Sequence, residues 1–354
     1  MTDISDIDTP AVLIDLDLAE ANLKRAQDYA DAHDLKLRPH IKTHKLPHFA
    51  RRAIELGAVG ITVQKLGEAE VFADAGISEI FLPYNILGAA KLARLKALHQ
   101  RVHMVVTADS AETVEGLAQT FAGSAKPLTV LVECDTGMGR CGVQTPSAAL
   151  ALAEKIANSP GLEFGGLMTY PAAGQVEANA GWLAAARTLL AAAGLPPPIV
   201  SNGGTPDLWR AHEVTAATEH RPGTYIYLDR FQVTKGVGSF EDCALTVLAT
   251  VVSRPTPDRA IIDAGSKALT SDLLGLVGHG HVVEYPEAPV VGLSEEHGTL
   301  DVSACADGGP RIGEKIAIIP NHCCPVSNLF DHVHFVRDGQ LVETVPVAAR
   351  GRVD

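Results

Sequence analysis

From residue 36 to about residue 228 one pattern repeats along the chain. A short apolar run rich in β-branched residues ends in a polar or Gly-rich turn. A stretch rich in Ala, Leu, Glu, Lys and Arg follows, with its apolar positions at helical spacing. The pattern predicts strands over 36–42, 59–64, 79–84, 102–107, 128–133, 164–169, 198–202 and 224–228, and helices over 47–56, 66–75, 89–99, 111–121, 147–157 and 176–193. A strand-to-strand spacing of roughly 20 to 35 residues suits the βα crossover unit. Eight such units in succession match a (β/α)8 barrel of the TIM type better than an open doubly wound sheet.

After Gly238 helical periodicity fades, and Val, Thr, Ile and Gly dominate between turns such as Pro255-Thr256-Pro257-Asp258. Strands are predicted over 243–253, 259–263, 315–319 and 332–337, which reads as a second, mostly β domain. The expected organisation is a barrel over 16–237 and a β domain over 238–354. Residues 11–16 form a further strand able to pair with either, so that 1–15 can join the β domain.

Composition narrows the function. Among 354 residues, 46% are hydrophobic and 20% charged, which suits a globular chain and excludes collagen, coiled coil and disorder. With 29 Lys plus Arg against 42 Asp plus Glu, the net charge is −13. That balance argues against nucleic acid or an anionic membrane as partner. No apolar run approaches the roughly 20 residues of a membrane span. The acidic start offers no secretory signal, and six cysteines are too sparse for a disulfide framework, so a cytoplasmic chain with reduced thiols is expected.

Barrel active sites lie at the C-terminal ends of the strands. Those ends carry Lys42, Gln64, Tyr84, Glu133, Arg140 and Tyr170, then Asn202-Gly203-Gly204-Thr205, and Gly223-Thr224-Tyr225 at the eighth strand. Glycines after the seventh and eighth strands stand where barrels commonly hold a phosphate, because a bare backbone lets N–H groups approach an anion. A lysine closing a buried strand is costly unless paired or functional, and a lysine of depressed pKa serves Schiff-base chemistry, which singles out Lys42. Lys45 reads as part of a surface turn. In the β domain, His322 and Cys324 are two apart in a segment read as extended, so both would face one side and share a metal, Zn2+ before Mn2+. Asp263-Ala264-Gly265 and Glu295-Glu296-His297-Gly298 are polar islands that suit a cleft or a satisfied turn equally.

Taken together, Arg38-Pro39-His40-x-Lys42-x-His44-Lys45, Gly137-x-Gly139-Arg140-Cys141-Gly142-Val143, Asp263-Ala264-Gly265, Glu296-His297-Gly298 and His322-x-Cys324 resemble the D-threonine aldolase and D-serine dehydratase family. This is an alanine-racemase-fold family dependent on pyridoxal 5'-phosphate, and the likeness runs from Thr9-Pro10 to Gly351. The resemblance implies that Lys42 binds pyridoxal phosphate covalently, with His40 and Gln64 as neighbours. Arg140 would face the pyridine nitrogen, and Tyr170 and Asn202 would stand beside the cofactor. The Gly203-Gly204-Thr205 and Gly223-Thr224-Tyr225 turns would hold its phosphate. It further implies a divalent metal on His322 and Cys324, a D-3-hydroxy-amino acid substrate and a homodimer.

Two chemistries divide this family. Its dehydratases resemble His-x-Cys at the metal, as here, and its aldolases His-x-Asp, although the following Pro325-x-x-Asn328-Leu329-x-Asp331 resembles the aldolase branch. The family usually follows the sixth-strand tyrosine with His-Gly, where this chain has Tyr170-Pro171-Ala172-Ala173-Gly174. Aldol cleavage must remove the hydroxyl proton, whereas β-elimination needs only Cα–H abstraction, by Lys42, and a Lewis acid. The expectation is therefore a dehydratase of the D-serine or D-3-hydroxyaspartate type, releasing 2-oxo acid and ammonia. A D-threonine aldolase is the alternative, with His297 as a candidate hydroxyl base, and an amino-acid racemase is the third.

Overall fold

Eight parallel strands follow one another in the order of the chain: Lys36–Leu37, Ile61–Thr62, Glu79–Asn85, His103–Ala108, Leu128–Cys134, Leu162–Thr169, Ile199–Gly203 and Glu219–Arg221. In this computed structural model, which describes residues 2–354, each strand pairs with its successor from the second to the eighth, and the eighth pairs with the first. The remaining edge is joined by the bridge His40↔Thr62 and by the Val59 N–H donating to the Leu37 carbonyl at 2.9 Å, which closes the ring. Closure removes both sheet edges and explains why strands of only two or three residues persist.

Helices Pro47–Leu56, Leu66–Asp74, Ala89–His99, Ala111–Phe121, Pro146–Ala157 and Val176–Ala192 connect the strands. Their starts follow local chemistry: Pro47 and Pro146 occupy first-turn positions, while the Ser110 and Thr145 hydroxyls accept from the N–H groups of Thr113 and Ala148. Phe81, Val105, Leu131 and Met168 form one buried cluster from four consecutive strands, with Ile199 of the next packed against it. The Arg221 guanidinium of the eighth strand lies 5.6 Å over the Phe81 ring of the third, so this cluster faces the barrel interior.

Two of the expected strands are misplaced. The first stops at Leu37 instead of reaching residue 42, because Pro39 removes a ladder donor and Ile41–Thr43 closes into a 3-10 turn. Lys42 therefore sits in a turn beyond the strand. The eighth is Glu219–Arg221, not 224–228, which begins with the 3-10 turn Thr224–Ile226. All three residues of that strand are polar yet buried. Arg38 Nε meets Glu219 Oε2 at 3.0 Å, and the Ser201 hydroxyl bonds the other carboxylate oxygen. Arg221 donates to the Thr169 carbonyl at 2.7 Å. Burial pulls the Arg221 guanidinium down to about 10, against the pull of Glu219 and Glu133, so it stays a cation at neutral pH.

The barrel unit comprises Ala26–Lys42, Leu46–Gly223 and Arg352–Asp354. The second unit takes the chain up to Arg25, the tripeptide Thr43–Lys45 and Thr224–Gly351, where the pattern of apolar positions puts boundaries at 15/16 and 237/238. Its sheet is built on Leu245–Thr256, which pairs antiparallel with Ala11–Asp15, Arg259–Ile262 and Lys315–Pro320. Ala11–Asp15 also pairs in parallel with His332–Arg337, which places the first long strand in the β unit. Ile7, Ala11, Leu13, Leu248 and Val336 pack together there. Lys45 is buried, not on a surface turn, and its Nζ donates to the Ala349 carbonyl at 3.3 Å. No helix of the described residues is long and apolar enough to cross a membrane.

Candidate active site

At the C-terminal end of the barrel strands several of the expected residues meet. His40 Nε2 lies 3.0 Å from Gln64 Oε1, and the Lys42 N–H approaches His40 Nδ1 at 3.4 Å. The His40 N–H donates to the Pro222 carbonyl at 2.8 Å, which ties the start of the Lys42 turn to the turn after the eighth strand. That turn is in turn held to the seventh strand, because the Gly223 N–H donates to Thr205 Oγ1 at 3.1 Å. Asn202 Oδ1 accepts from Asn179 Nδ2 at 3.1 Å. Gly203 is close-packed, since a Cβ there would stand 2.8 Å from the Arg221 guanidinium, and Gly204 has φ +131°. The sequence thus brings Lys42, His40, Gln64, Asn202, Gly203, Gly204, Thr205 and Gly223 into one connected set.

Arg140 lies on the exposed loop after the fifth strand, with its guanidinium 5.1 Å over the Tyr170 ring. The loop is shaped by Asp135, whose carboxylate accepts from the Gly137 and Gly139 N–H groups at 2.9 and 3.0 Å. Those bonds hold the Asp135 carboxyl below its ordinary range. Glu133, at the end of the same strand, is 5% exposed, and burial with Asp109 nearby raises its carboxyl to about 7 despite Arg140 and Arg221.

The second cluster is in the β unit. His322 and Cys324 are not on a strand. Pro320 ends Lys315–Pro320, and His322 caps a helix, Cys323–Leu329, whose third residue Pro325 is tolerated in the first turn. The cap and the second helical residue still meet. Burial disfavours the His322 cation, but a hydrogen bond to Cys324, its charge, and Asp229 and Asp272 outweigh burial and raise the imidazole to about 9. His322 Nδ1 is 3.1 Å from the Asp272 carboxylate. Two hydroxyls flank the thiol: Thr43 Oγ1 at 3.2 Å and Thr224 Oγ1 at 3.7 Å from Cys324 Sγ. Asp229, fully buried, accepts from the Cys323 N–H at 3.1 Å and so fixes the helix start.

Among the described residues no three His, Cys, Asp or Glu side chains are grouped to hold a metal, so His297 is not a third member of the pair. It is exposed in the loop before Gly298–Asp301. The adjoining polar islands are a packed turn. Asp263 accepts from the Thr250 N–H at 2.8 Å and from the Thr9 hydroxyl at 2.5 Å, and a Cβ on Gly265 would come 2.4 Å from the Glu295 carbonyl. Tyr225 is buried, and burial pushes its phenol up.

The residues fit the two groups that the resemblance implies. Gly203 and Gly204 bare the backbone beside a hydroxyl, as an anion cradle requires. An imidazole and a thiol in contact are a borderline-soft donor set suited to Zn2+, and a two-ligand site leaves positions open. Sequence reasoning missed Thr43, Asp229, Asp272, His220 and Arg221. Of these, only Asp229 had a readable signal, the helix-capping spacing Asp229-x-x-Gln232.

A family model described as the N-terminal domain of alanine racemase matches residues 14–230, and one described as a putative serine dehydratase domain matches residues 244–336. The chain is 36% identical to a D-threonine aldolase of an Arthrobacter species, over 98% of this chain and 93% of that one. It is 34% identical to a D-threo-3-hydroxyaspartate dehydratase of Delftia, over 92% and 93%. A solved cysteine-to-alanine variant of a D-threo-3-hydroxyaspartate dehydratase, in the metal-free form, superposes with a TM-score of 0.89 at 30% identity, over 98% and 99%.

Proposed function

The chain belongs to the alanine-racemase-fold, pyridoxal-phosphate-dependent lyases that include D-threonine aldolase and D-threo-3-hydroxyaspartate dehydratase, and from that premise we propose that it dehydrates a D-3-hydroxy-amino acid. One observation carries the reading: the second donor beside His322 is Cys324, a thiol held between the Thr43 and Thr224 hydroxyls. The metal-free cysteine variant of the dehydratase supports the same role for a cysteine.

In this reading pyridoxal phosphate supplies an electron sink and a divalent metal, Zn2+ first, supplies a Lewis acid. The chain's own residues do the rest. Lys42 would carry the cofactor, and its Nζ would be the group that takes the substrate Cα proton. Thr43 Oγ1 lies against the Cys324 thiol. Arg140, a permanent cation beside Tyr170, would keep a pyridine nitrogen unprotonated. His322 and Cys324 would hold the metal. The substrate loses its Cα proton and β-hydroxyl as water, and hydrolysis of the resulting enamine and imine yields 2-oxo acid and ammonia.

Retro-aldol cleavage to glycine and an aldehyde is the second reading, favoured by the 36% identity to an aldolase. It needs a base for the hydroxyl proton, and Pro171 after Tyr170 offers none. Incubation of the loaded enzyme with D-serine, D-threonine and D-3-hydroxyaspartate decides. Ammonia and 2-oxo acid in equal amounts are expected, and glycine as the main product would overturn the dehydratase reading.

A further inference from the structure

Two buried acceptors line one small space in the barrel unit. Asn179, 1% exposed, donates Nδ2–H to Asn202, and its own Oδ1 has no hydrogen-bond partner among the described residues. His220, 3% exposed, lies 2.9 Å through Nε2 from the Gly204 carbonyl. A carbonyl only accepts, so Nε2 carries the proton and Nδ1 carries a lone pair. That lone pair also has no partner among the described residues. Burial, with the Arg221 cation adding to it, holds this imidazole down at about 4 against the bond to Gly204, so it is neutral at working pH.

Both residues line a cavity of about 10 Å3, together with Pro171, Asn202 and Gly203. That is room for about one water. A water brings two O–H donors, and the cavity presents two acceptors.

The Gly204 carbonyl is the link to function. The Gly204–Thr205 peptide is trans and planar, so its carbonyl and the Thr205 N–H point in opposite directions. His220 holds the carbonyl toward the packed interior and thereby turns the Thr205 N–H away from it. The torsion that turns this plane is the ψ of Gly204, which a glycine with no Cβ leaves loosely fixed, so an external constraint is needed.

We propose that His220, donating to the Gly204 carbonyl and backed by one enclosed water shared with Asn179, is the positioning residue of the Gly203-Gly204-Thr205 turn and sets how tightly that turn binds the phosphate group of the cofactor. The proposal rests on the reading that this turn is the phosphate cradle.

The test is equilibrium binding of pyridoxal phosphate and of pyridoxal, which lacks the phosphate, to the cofactor-stripped full-length protein. His220→Gln places an amide nitrogen where Nε2 stood and keeps the bond to Gly204. His220→Asn is too short to reach it. Wild type is expected to prefer the phosphorylated ligand, H220Q to keep that preference, and H220N to lose about tenfold of it with pyridoxal binding unchanged, the effect of one buried hydrogen bond. An unchanged preference in H220N, or its loss in H220Q, overturns the proposal. Absence of any preference in wild type would instead remove the phosphate reading beneath it. A crystal structure at a resolution that shows ordered solvent is expected to contain the water between His220 and Asn179, and a dry cavity overturns that part.

Discussion

Glu133 stands in the barrel at 5% exposure, and burial beside Asp109 raises its carboxyl from 4.5 to about 7. An acid whose folded value is raised is bound to its proton more tightly in the fold than in the unfolded chain. Its contribution is fully present below pH 4.5 and is lost as the pH climbs through 7, above which the fold carries a buried charge. Each pH unit in that window costs about 1.4 kcal/mol, so the whole span amounts to about 3 kcal/mol. Glu133→Gln keeps the shape of the protonated acid and removes the charge. The variant should match wild type at pH 4.5 and exceed it by about 3 kcal/mol at pH 8, with the gap opening between. Urea unfolding at pH 4.5, 6 and 8 measures this directly, since groups that titrate identically in both proteins cancel. Equal stability at pH 8 would refute the reasoning and mean that Arg221 and Arg140 offset burial in full.

Borohydride reduction of the loaded enzyme followed by peptide mapping should mark Lys42; a mark on Lys45, Lys65 or Lys267 would show that the cofactor is carried elsewhere than on the turn after the first strand. Cys324→Ala should lose bound metal, measured by elemental analysis, whereas Cys323→Ala should keep it and lose about 1 kcal/mol of stability, because Cys323 is fully buried. Arg38→Leu removes the ion-pair partner of the buried Glu219 carboxylate, and removal of one partner from a buried pair should lower the unfolding free energy by about 3–5 kcal/mol; a loss under 1 kcal/mol would show that Ser201 and the nearby Arg221 cation satisfy Glu219.

Much of this fold is readable from periodicity. The helices Pro47–Leu56, Ala89–His99 and Ala111–Phe121 fall where the apolar spacing puts them, as does the strand His332–Arg337. What escapes is where charge goes inside. Glu219-His220-Arg221 looks like a solvated loop, and only the distant partners Arg38, Ser201 and Thr169 make it a strand. The first helix, Leu16–Ala32, buries Ala19, Asn22, Leu23, Ala26, Gln27 and Ala30 at clean helical spacing, but two of the six are polar and three are alanines, so its apolar stripe is weak. In the site, spacing alone predicted an extended His322-x-Cys324. The pair meets instead across a helix start that Asp229 holds from far along the chain, a contact with no local signature.

The strand Ala11–Asp15 has a consequence for biosynthesis. Its hydrogen-bond partners, Leu245–Thr256 and His332–Arg337, leave the ribosome long after it does. At roughly 5–20 residues per second the delay is on the order of ten seconds to a minute. From the second to the eighth, each barrel strand meets its predecessor within one crossover, and Glu219–Arg221 then closes onto Lys36–Leu37, so the barrel can assemble before Leu245 is made, while Val12, Leu13 and Ile14 still lack their sheet. A nascent chain arrested before Leu245 would present that apolar edge to other proteins. The interval is one in which a holding chaperone has a defined place to bind, and the closing of the β unit around its earliest strand ends it.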